Sequence, residues 1–348
     1  MSTTQSALRR TLDVHYPPER GRIVLRTELD WDHDVEPVAV SGDGSTYSFE
    51  LETRRPFLYL KPCLRTGDGG DHWAVGPNTL ALMTAEGTGH SYPYFEGSPS
   101  GSFSPVLEWD SAILGRKLLV RMYLPAGYEG NPLRSYPVVY MQDGKNLFFP
   151  EEAFLGHDWK VDSAVSLLDT MNAIDKVVVV GVYSGDRMRE YTPPGYEAYA
   201  RAVVREVKPE VDRRFRVLTS PRETGVIGSS LGGVVSFYMA WEHPEVFGYA
   251  ACMSSTFSHQ DDLIERVLAE PKRDSKFYLD SGWPGDNFEV TLAMAMALGR
   301  RGYRVREDFL HLVFPRESHD EAAWGRRLHL PLQLGLGKVA AAARGRHI

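Results

Sequence analysis

The sequence "ETGVIGSSLGGVVSFYMA", residues 223–240, places a serine between glycines, after a short apolar run and before a helix-like segment. Its centre, Gly228-Ser229-Ser230-Leu231-Gly232, has the form Gly-x-Ser-x-Gly. A serine on a sharp strand-to-helix turn needs small neighbours, because side chains at both flanking positions would collide with the adjoining strand and helix. The pattern therefore predicts that Ser230 is a nucleophile. A glycine-rich turn without chemistry is the alternative.

The sequence around this turn alternates between strand-like and helix-like segments. Strand-like runs are "KLLVRMYLP", "YPVVYMQDG", "KVVVVGVYSG", "YAACMS" and "KFYLDSG". Helix-like runs are "WKVDSAVSLLDTM", "YEAYARAVVREVKPEVDRRF" and "GGVVSFYMAWEHP". Such alternation predicts an α/β fold, with a mainly parallel sheet covered by helices on both faces.

The chain before residue 105 has a different pattern. Residues 20–85 contain short β-type runs separated by turn sequences such as "SGDG", which predicts a small all-β sandwich. Residues 86–105 are rich in Gly, Ser and Pro and are predicted to be a linker. We assign residues 1–19 to an N-terminal extension, 106–335 to the α/β domain and 336–348 to a C-terminal tail.

Composition and charge restrict the classes of partner. The 348 residues are 43% hydrophobic and 24% charged, as in ordinary globular proteins. The formal net charge of −7 argues against nucleic-acid binding. No apolar run approaches the length of a membrane helix, and the N-terminus lacks the apolar core of a signal peptide, so we expect a cytoplasmic protein without a membrane partner. We expect Cys63 and Cys252 to be free buried thiols.

A serine nucleophile needs a histidine base, which follows the serine in chain order in folds that carry this turn. Of the downstream histidines, His319 lies in "VFPRESHDEAAWGRRL", a loop between a strand and a final helix. Such a loop brings a base to the strand ends. His243 lies at the far end of the helix that follows Ser230. We therefore predict His319 as the base.

The acid that orients the histidine has two candidates in "FYLDSGWPGDNFE", Asp280 and Asp286. Asp286 falls in the loop after the strand, where an acid can project toward the histidine, so we favour it. Asp280 stays open as the alternative. Turn chemistry without catalysis explains either residue equally simply.

Five motifs in this order resemble the putative esterase family of α/β-hydrolases. They are "YLPAGYEGNPLRSYPVVYMQDGKNLF", "RMREYTP", "GVIGSSLGGVVSFYMAWEHPEVFG", "SGWPGDN" and "ESHDEAAW". The family includes esterase D, feruloyl and acetylxylan esterases, enterochelin esterases and mycobacterial mycolyltransferases. The resemblance covers residues 106 to about 330, implies an α/β-hydrolase fold and matches Ser230, Asp286 and His319 to the family's nucleophile, acid and base.

The resemblance also implies an oxyanion hole built from backbone N–H groups, here those of Leu231 and Lys145. A helix N-terminus directly after Ser230 agrees with the first of these donors. Asp143 and Arg187 are candidate substrate contacts at the cleft. We expect Arg187 and Glu190, in "RMREYTP", to form a structural ion pair.

The predicted function is hydrolysis of a carboxylic ester through an acyl-serine intermediate. The small-molecule substrate is open among sugar, feruloyl and siderophore-type esters. Alternatives are an acyltransferase with the same triad, a serine peptidase, and a non-catalytic carbohydrate-binding protein. No metal or organic cofactor is expected, and the oligomeric state is open.

Overall fold

The computed structural model describes residues 6–67 and 69–339. The chain has two regions, an N-terminal all-β region and a larger sheet flanked by helices. The strands of the first region are β1 Leu8–His15, β2 Arg22–Thr27, β3 Asp30–Val35, β4 Ala39–Val40, β5 Thr46–Thr53, β6 Phe57–Arg65, β7 Asp71–Trp73, β8 Thr79–Leu82 and β9 Gly89–Ser91.

These strands form two sheets, with the orders β4-β5-β1-β9 and β3-β2-β6-β7, and β8 pairs with β6. Residues alternate between buried and exposed along β5, so that Tyr47, Phe49 and Leu51 point inward. Residues of both sheets, among them Ile23 of β2 and Leu60 of β6, belong to the same core cluster. Such alternation is typical of sheets that have one face buried.

Two assigned boundaries differ from the structure. The segment 1–19, assigned as an extension, contains β1, which lies between β5 and β9 in the first sheet. The segment 86–105, predicted as a linker, contains β9 and buries Tyr94 and Phe95. The β1 pattern was missed because the buried Arg10 interrupts the alternation of apolar residues.

The larger sheet begins within the predicted linker. Its strands are β10 Ser102–Phe103, β11 Leu107–Ser111, β12 Arg116–Leu124, β13 Val138–Met141, β14 Val178–Val182, β15 Thr224–Ser229, β16 Tyr249–Met253, β17 Lys276–Trp283 and β18 Phe309–Pro315. The order is β10-β12-β14-β13-β15-β16-β17-β18, with β11 on β12. The strands from β14 to β18 in this order pair in parallel, whereas β12 is antiparallel to β14.

Helices cover both faces of this sheet. They are α1 Val161–Thr170, α2 Arg187–Glu190, α3 Gly195–Ala202, α4 Lys208–Arg214, α5 Leu231–Glu242, α6 Leu263–Ala269, α7 Phe288–Arg300, α8 Glu321–Arg327 and α9 His329–Leu336. A π-helical turn, Val203–Val207, joins α3 to α4 within the single helix that the sequence predicts. Alternate residues of β13 point to opposite sides, Val138 and Tyr140 toward α3 and α5, Val139 and Met141 toward α1 and α9.

Three further expectations concern the C-terminal tail, the cysteines and membrane helices. The assigned tail from residue 336 begins with residues that still pack on the domain, since Gly337 bridges Ile174, and its part from residue 340 lies outside the described residues. Cys63 and Cys252 are free and buried, as predicted. No helix within residues 6–67 and 69–339 is both long and apolar enough to cross a membrane.

Candidate active site

Ser230 sits on a strained turn at the carboxyl edge of the larger sheet. It follows β15, has φ 56° and ψ −125°, and immediately precedes α5. A Cβ atom at Gly228 would lie 2.3 Å from the carbonyl oxygen of Gly232, and one at Gly232 would lie 3.2 Å from Asp143 Oδ2. The tight turn therefore requires glycine at Gly228 and leaves little space at Gly232. A non-glycine residue held in such a conformation is a feature that clusters at functional sites.

His319 and Asp286 form a hydrogen-bonded pair in the loops that follow β18 and β17. The ring Nδ1 of His319 lies 2.6 Å from Asp286 Oδ1. The Asp286 side chain is fully buried, whereas that of His319 is 32% exposed. Trp324 packs edge-on against the imidazole, with ring centroids 5.0 Å apart. The imidazole is thus oriented from one side by the carboxylate and fixed by the indole.

The Asp286 carboxylate accepts further hydrogen bonds. Ser254 Oγ donates to Oδ2 over 2.5 Å, the Gly282 N–H to Oδ2 over 2.6 Å, and the Asn287 N–H to Oδ1 over 2.8 Å. Burial raises the pKa of Asp286, but the hydrogen bonds from His319, Ser254 and the two N–H groups outweigh burial and lower it to about 2. The carboxylate is therefore ionised at every pH at which a protein of this kind works.

Asp280 has a different environment. It is fully buried and its Oδ1 lies 3.1 Å from Arg327 Nη2, which is also buried. The Tyr278 hydroxyl donates to Oδ2 over 2.8 Å. Burial raises the pKa of Asp280, and the Arg327 guanidinium opposes that shift. The structure thus brings Asp286, not Asp280, to the imidazole.

Ser230 and His319 approach the same sheet edge without a direct contact. No hydrogen bond joins the Ser230 hydroxyl to the imidazole, both residues being within the described ranges. The Ser230 N–H donates to the Met253 carbonyl over 2.9 Å, and the next residue, Ser254, contacts Asp286. Catalytic hydrogen bonds are often long in unliganded enzymes and shorten when the substrate binds.

The two predicted oxyanion donors follow the neighbouring strands β15 and β13. Leu231 begins α5, where a helix leaves its first N–H groups without intrahelical partners. Lys145 lies in the short helix Gly144–Asn146 after β13. Asp143 precedes that helix with φ 53° and approaches the turn at Gly232. The Lys145 side chain is exposed, which agrees with a role limited to its backbone.

Arg187 pairs with Asp143 rather than with Glu190, which corrects the sequence prediction. Arg187 Nε lies 3.0 Å from Asp143 Oδ1, and Nη2 donates to the Ser229 carbonyl over 3.3 Å. Glu190 accepts two hydrogen bonds of 2.6 Å from Arg116. Arg116 lies on β12, and its forked guanidinium matches the Glu190 carboxylate geometrically. The sequence spacing of three residues gave no sign of either distant partner.

The sequence analysis also missed residues around the site. Ser254 donates a hydrogen bond to Asp286, and Arg327 reaches Asp286 through the Ser254 hydroxyl. Asn146 Nδ2 donates to Glu321 Oε1 over 3.3 Å and joins the short helix Gly144–Asn146 to α8. Burial and then the nearby Asp143 raise the pKa of Glu321. Ser254 follows a strand at the carboxyl edge of the sheet, and this position was the feature of the sequence that could have predicted its place at the site.

Residues 111–328 match the family model described as putative esterase. The uncharacterized protein YbbA of Bacillus subtilis is 25% identical over 158 residues, which are 40% of this chain and 57% of that protein. The endo-1,4-beta-xylanase/feruloyl esterase of Xylanibacter ruminicola is 24% identical over 248 residues, 68% of this chain and 32% of that protein. The chain thus spans little more than half the length of the first relative and a smaller share of the second.

Solved structures with the same fold include a ferulic acid esterase, with a TM-score of 0.58 and 19% identity over 68% of this chain and 98% of that one. The enterobactin esterase of Shigella flexneri, solved in the presence of enterobactin, has a TM-score of 0.57 and 15% identity over 96% of this chain and 94% of that one. At these identities the likeness establishes the fold. Because the family match extends over more than half of the sequence, the chain belongs to the putative esterase family and has an α/β-hydrolase-like fold.

Proposed function

We propose that this chain is a serine-dependent carboxylic-ester hydrolase. Ser230 attacks the ester carbonyl, and His319 takes the hydroxyl proton and returns it to the leaving alcohol. Asp286 holds the imidazole and stabilises the imidazolium, and a water molecule then hydrolyses the acyl-serine. The N–H groups of Leu231 and Lys145 bind the oxyanion.

One observation carries this proposal. The His319–Asp286 pair, joined over 2.6 Å, lies at the sheet edge at which the strained Ser230 precedes α5. A buried carboxylate that is ionised and also hydrogen-bonded to three other groups is suited to fix one tautomer of an imidazole. The match of residues 111–328 to the family described as putative esterase supports the reaction class.

The substrate is proposed at the level of a small-molecule ester. Asp143 and the half-exposed Arg187 are proposed as contacts to the alcohol or acyl group, because their ion pair borders the turn that carries Ser230. The similar proteins named for feruloyl esters and enterobactin define the classes to assay. We also infer that the two N-terminal sheets form a β-sandwich module attached to the esterase domain.

A turnover assay tests the proposal. Purified protein is assayed on p-nitrophenyl acetate and on feruloyl, acetyl-sugar and catecholate esters, beside the Ser230→Ala variant. Loss of a triad nucleophile should lower kcat by about 10⁴-fold or more, while thermal unfolding is unchanged. A folded Ser230→Ala variant with most of its activity on the esters that the native chain cleaves would refute the serine mechanism.

A further inference from the structure

A buried chain of hydrogen bonds connects Arg327 on α8 to Asp286. Arg327 Nη2 donates to Ser254 Oγ over 2.9 Å, and Ser254 Oγ lies 2.5 Å from Asp286 Oδ2. Ser254 is fully buried and Arg327 is 3% exposed. Solvent therefore does not compete for these bonds.

The direction of the Ser254 hydroxyl follows from its two partners. A guanidinium can only donate hydrogen bonds, and an ionised carboxylate can only accept them. Ser254 Oγ must therefore accept from Arg327 and direct its own proton to Asp286. The hydroxyl thus holds Oδ2 of Asp286, while Oδ1 accepts from the imidazole of His319 and from the Asn287 N–H.

The backbone of Ser254 is held in a conformation that favours glycine. Its φ is 44°, in the left-handed region. Its N–H donates to the Asp280 carbonyl over 2.8 Å, and its own carbonyl accepts from Asn287 Nδ2 over 2.7 Å. Glycine would relieve the conformation but would lack the hydroxyl. A serine retained under strain at the acid points to a use for its side chain.

We propose that Ser254 and Arg327 are positioning residues that fix the orientation of Asp286 and, through it, of His319. Arg327 fixes the rotation of the Ser254 hydroxyl, and this hydroxyl holds one oxygen of the carboxylate. The inference rests on the proposed function, in which Asp286 is the acid that orients the base. Neither residue touches the substrate.

The charges around this pair determine the expected pH behaviour. The charged residues on β17, on α8 and in the loops that adjoin the acid and the base are Asp280, Arg327, Glu317 paired with Arg326, Asp320 and Glu321. Removing the Ser254 donor leaves a more basic carboxylate, which stabilises the imidazolium more strongly. The acidic limb of the kcat profile should therefore move to higher pH.

The first test compares Ser254→Gly with Ser258→Gly. Ser258 is exposed, has φ 66° and lies in the same loop, so its substitution repeats the backbone change away from the acid. Losing one charge-assisted hydrogen bond should lower kcat of Ser254→Gly about 10-fold. KM should stay unchanged and the acidic limb should move upward, whereas a purely structural loss would lower thermal stability without moving the limb. A kcat within twofold of the control with an unmoved limb would overturn the inference.

The second test removes the cation without leaving a buried charge unpaired. The double variant Asp280→Asn/Arg327→Met should lose activity several-fold, because the Ser254 hydroxyl is free to rotate. Adding Ser254→Gly to that double variant should then lower kcat by a smaller factor than it does in the native chain. An equal loss of kcat from Ser254→Gly in the double variant and in the native chain would overturn the role of Arg327.

The same assays separate this inference from the proposed function. Asp286→Asn is measured alongside, and a near-native kcat for it would remove the triad and the positioning role together. Loss of activity in Asp286→Asn, with Ser254→Gly at the level of its control, would overturn the positioning role alone.

Discussion

At the scale of single residues, the two neighbouring aspartates of β17 and its loop have separate environments. Asp286 accepts a hydrogen bond from His319, and Asp280 pairs with Arg327 in the interior. The sequence favours Asp286 because loops after parallel strands carry catalytic groups. It could not exclude Asp280, because its partner Arg327 lies 47 residues away and no local sequence pattern predicts that pairing.

Substituting each aspartate by asparagine should give opposite phenotypes. Asp286→Asn should lower kcat by about 10⁴-fold with little loss of stability, because the amide favours the wrong imidazole tautomer. Asp280→Asn leaves Arg327 as a buried unpaired charge, which typically costs about 3–5 kcal/mol of folding free energy. Kinetics and denaturant unfolding measure the two effects. A catalytic defect in Asp280→Asn without a stability defect would contradict this assignment.

The titration of Asp286 predicts how stability depends on pH. Its pKa falls on folding, from an ordinary value of 3.8 to about 2. The stabilisation from the carboxylate is therefore fully present above the ordinary value and is lost as the pH falls toward 2. Between pH 5 and 2 the native chain should lose more unfolding free energy than Asp286→Asn. Parallel stability curves would show that the hydrogen bonds around Asp286 do not lower its pKa.

Activity should depend on pH through the base rather than the acid. Because Asp286 is ionised throughout, the rate should rise with pH as the base loses its proton. His319→Ala should remove this limb together with most of the rate. A kcat that stays constant from pH 5 to 8 on a chromogenic ester would argue against a histidine base.

At the scale of elements, the turn between β15 and α5 is where sequence and structure agree most closely. The apolar strand, the glycines and the helix after Ser230 were all recognisable, because each follows from local pattern and sterics. The strand β1 was not recognisable, because the buried Arg10 interrupts its alternation of apolar residues. The partners of Arg116 and Arg187 were missed because they lie 74 and 44 residues away in the chain.

Gly228, two residues before Ser230, lies where no side chain fits, and substitution tests this requirement. In Gly228→Ala the new methyl group meets the Gly232 carbonyl, so the variant should lose about 1–3 kcal/mol of stability and most activity. Gly299 near the exposed end of α7 has open space, so Gly299→Ala should gain about 0.5–1 kcal/mol. Thermal unfolding of both variants measures the difference. A stable, active Gly228→Ala would contradict the tight turn.

At the scale of the whole molecule, the all-β region and the esterase domain are in direct contact. Asn131 donates hydrogen bonds from Nδ2 to the carbonyls of His15 and Pro93 over 2.9 and 2.8 Å. The segment predicted as a flexible linker therefore contributes to this contact and to both neighbouring sheets. Composition suggested flexibility, but Tyr94 and Phe95 within that segment are buried in the fold.

The central claim, that Ser230 carries the acyl group, is tested most directly by covalent trapping. The native chain is treated with a fluorophosphonate and its intact mass and labelled peptide are determined, beside Ser230→Ala and Ser229→Ala. We predict one adduct per chain on Ser230, loss of the adduct in Ser230→Ala and its retention in Ser229→Ala. Labelling that persists in Ser230→Ala, or an adduct mapped to another residue, would contradict the claim.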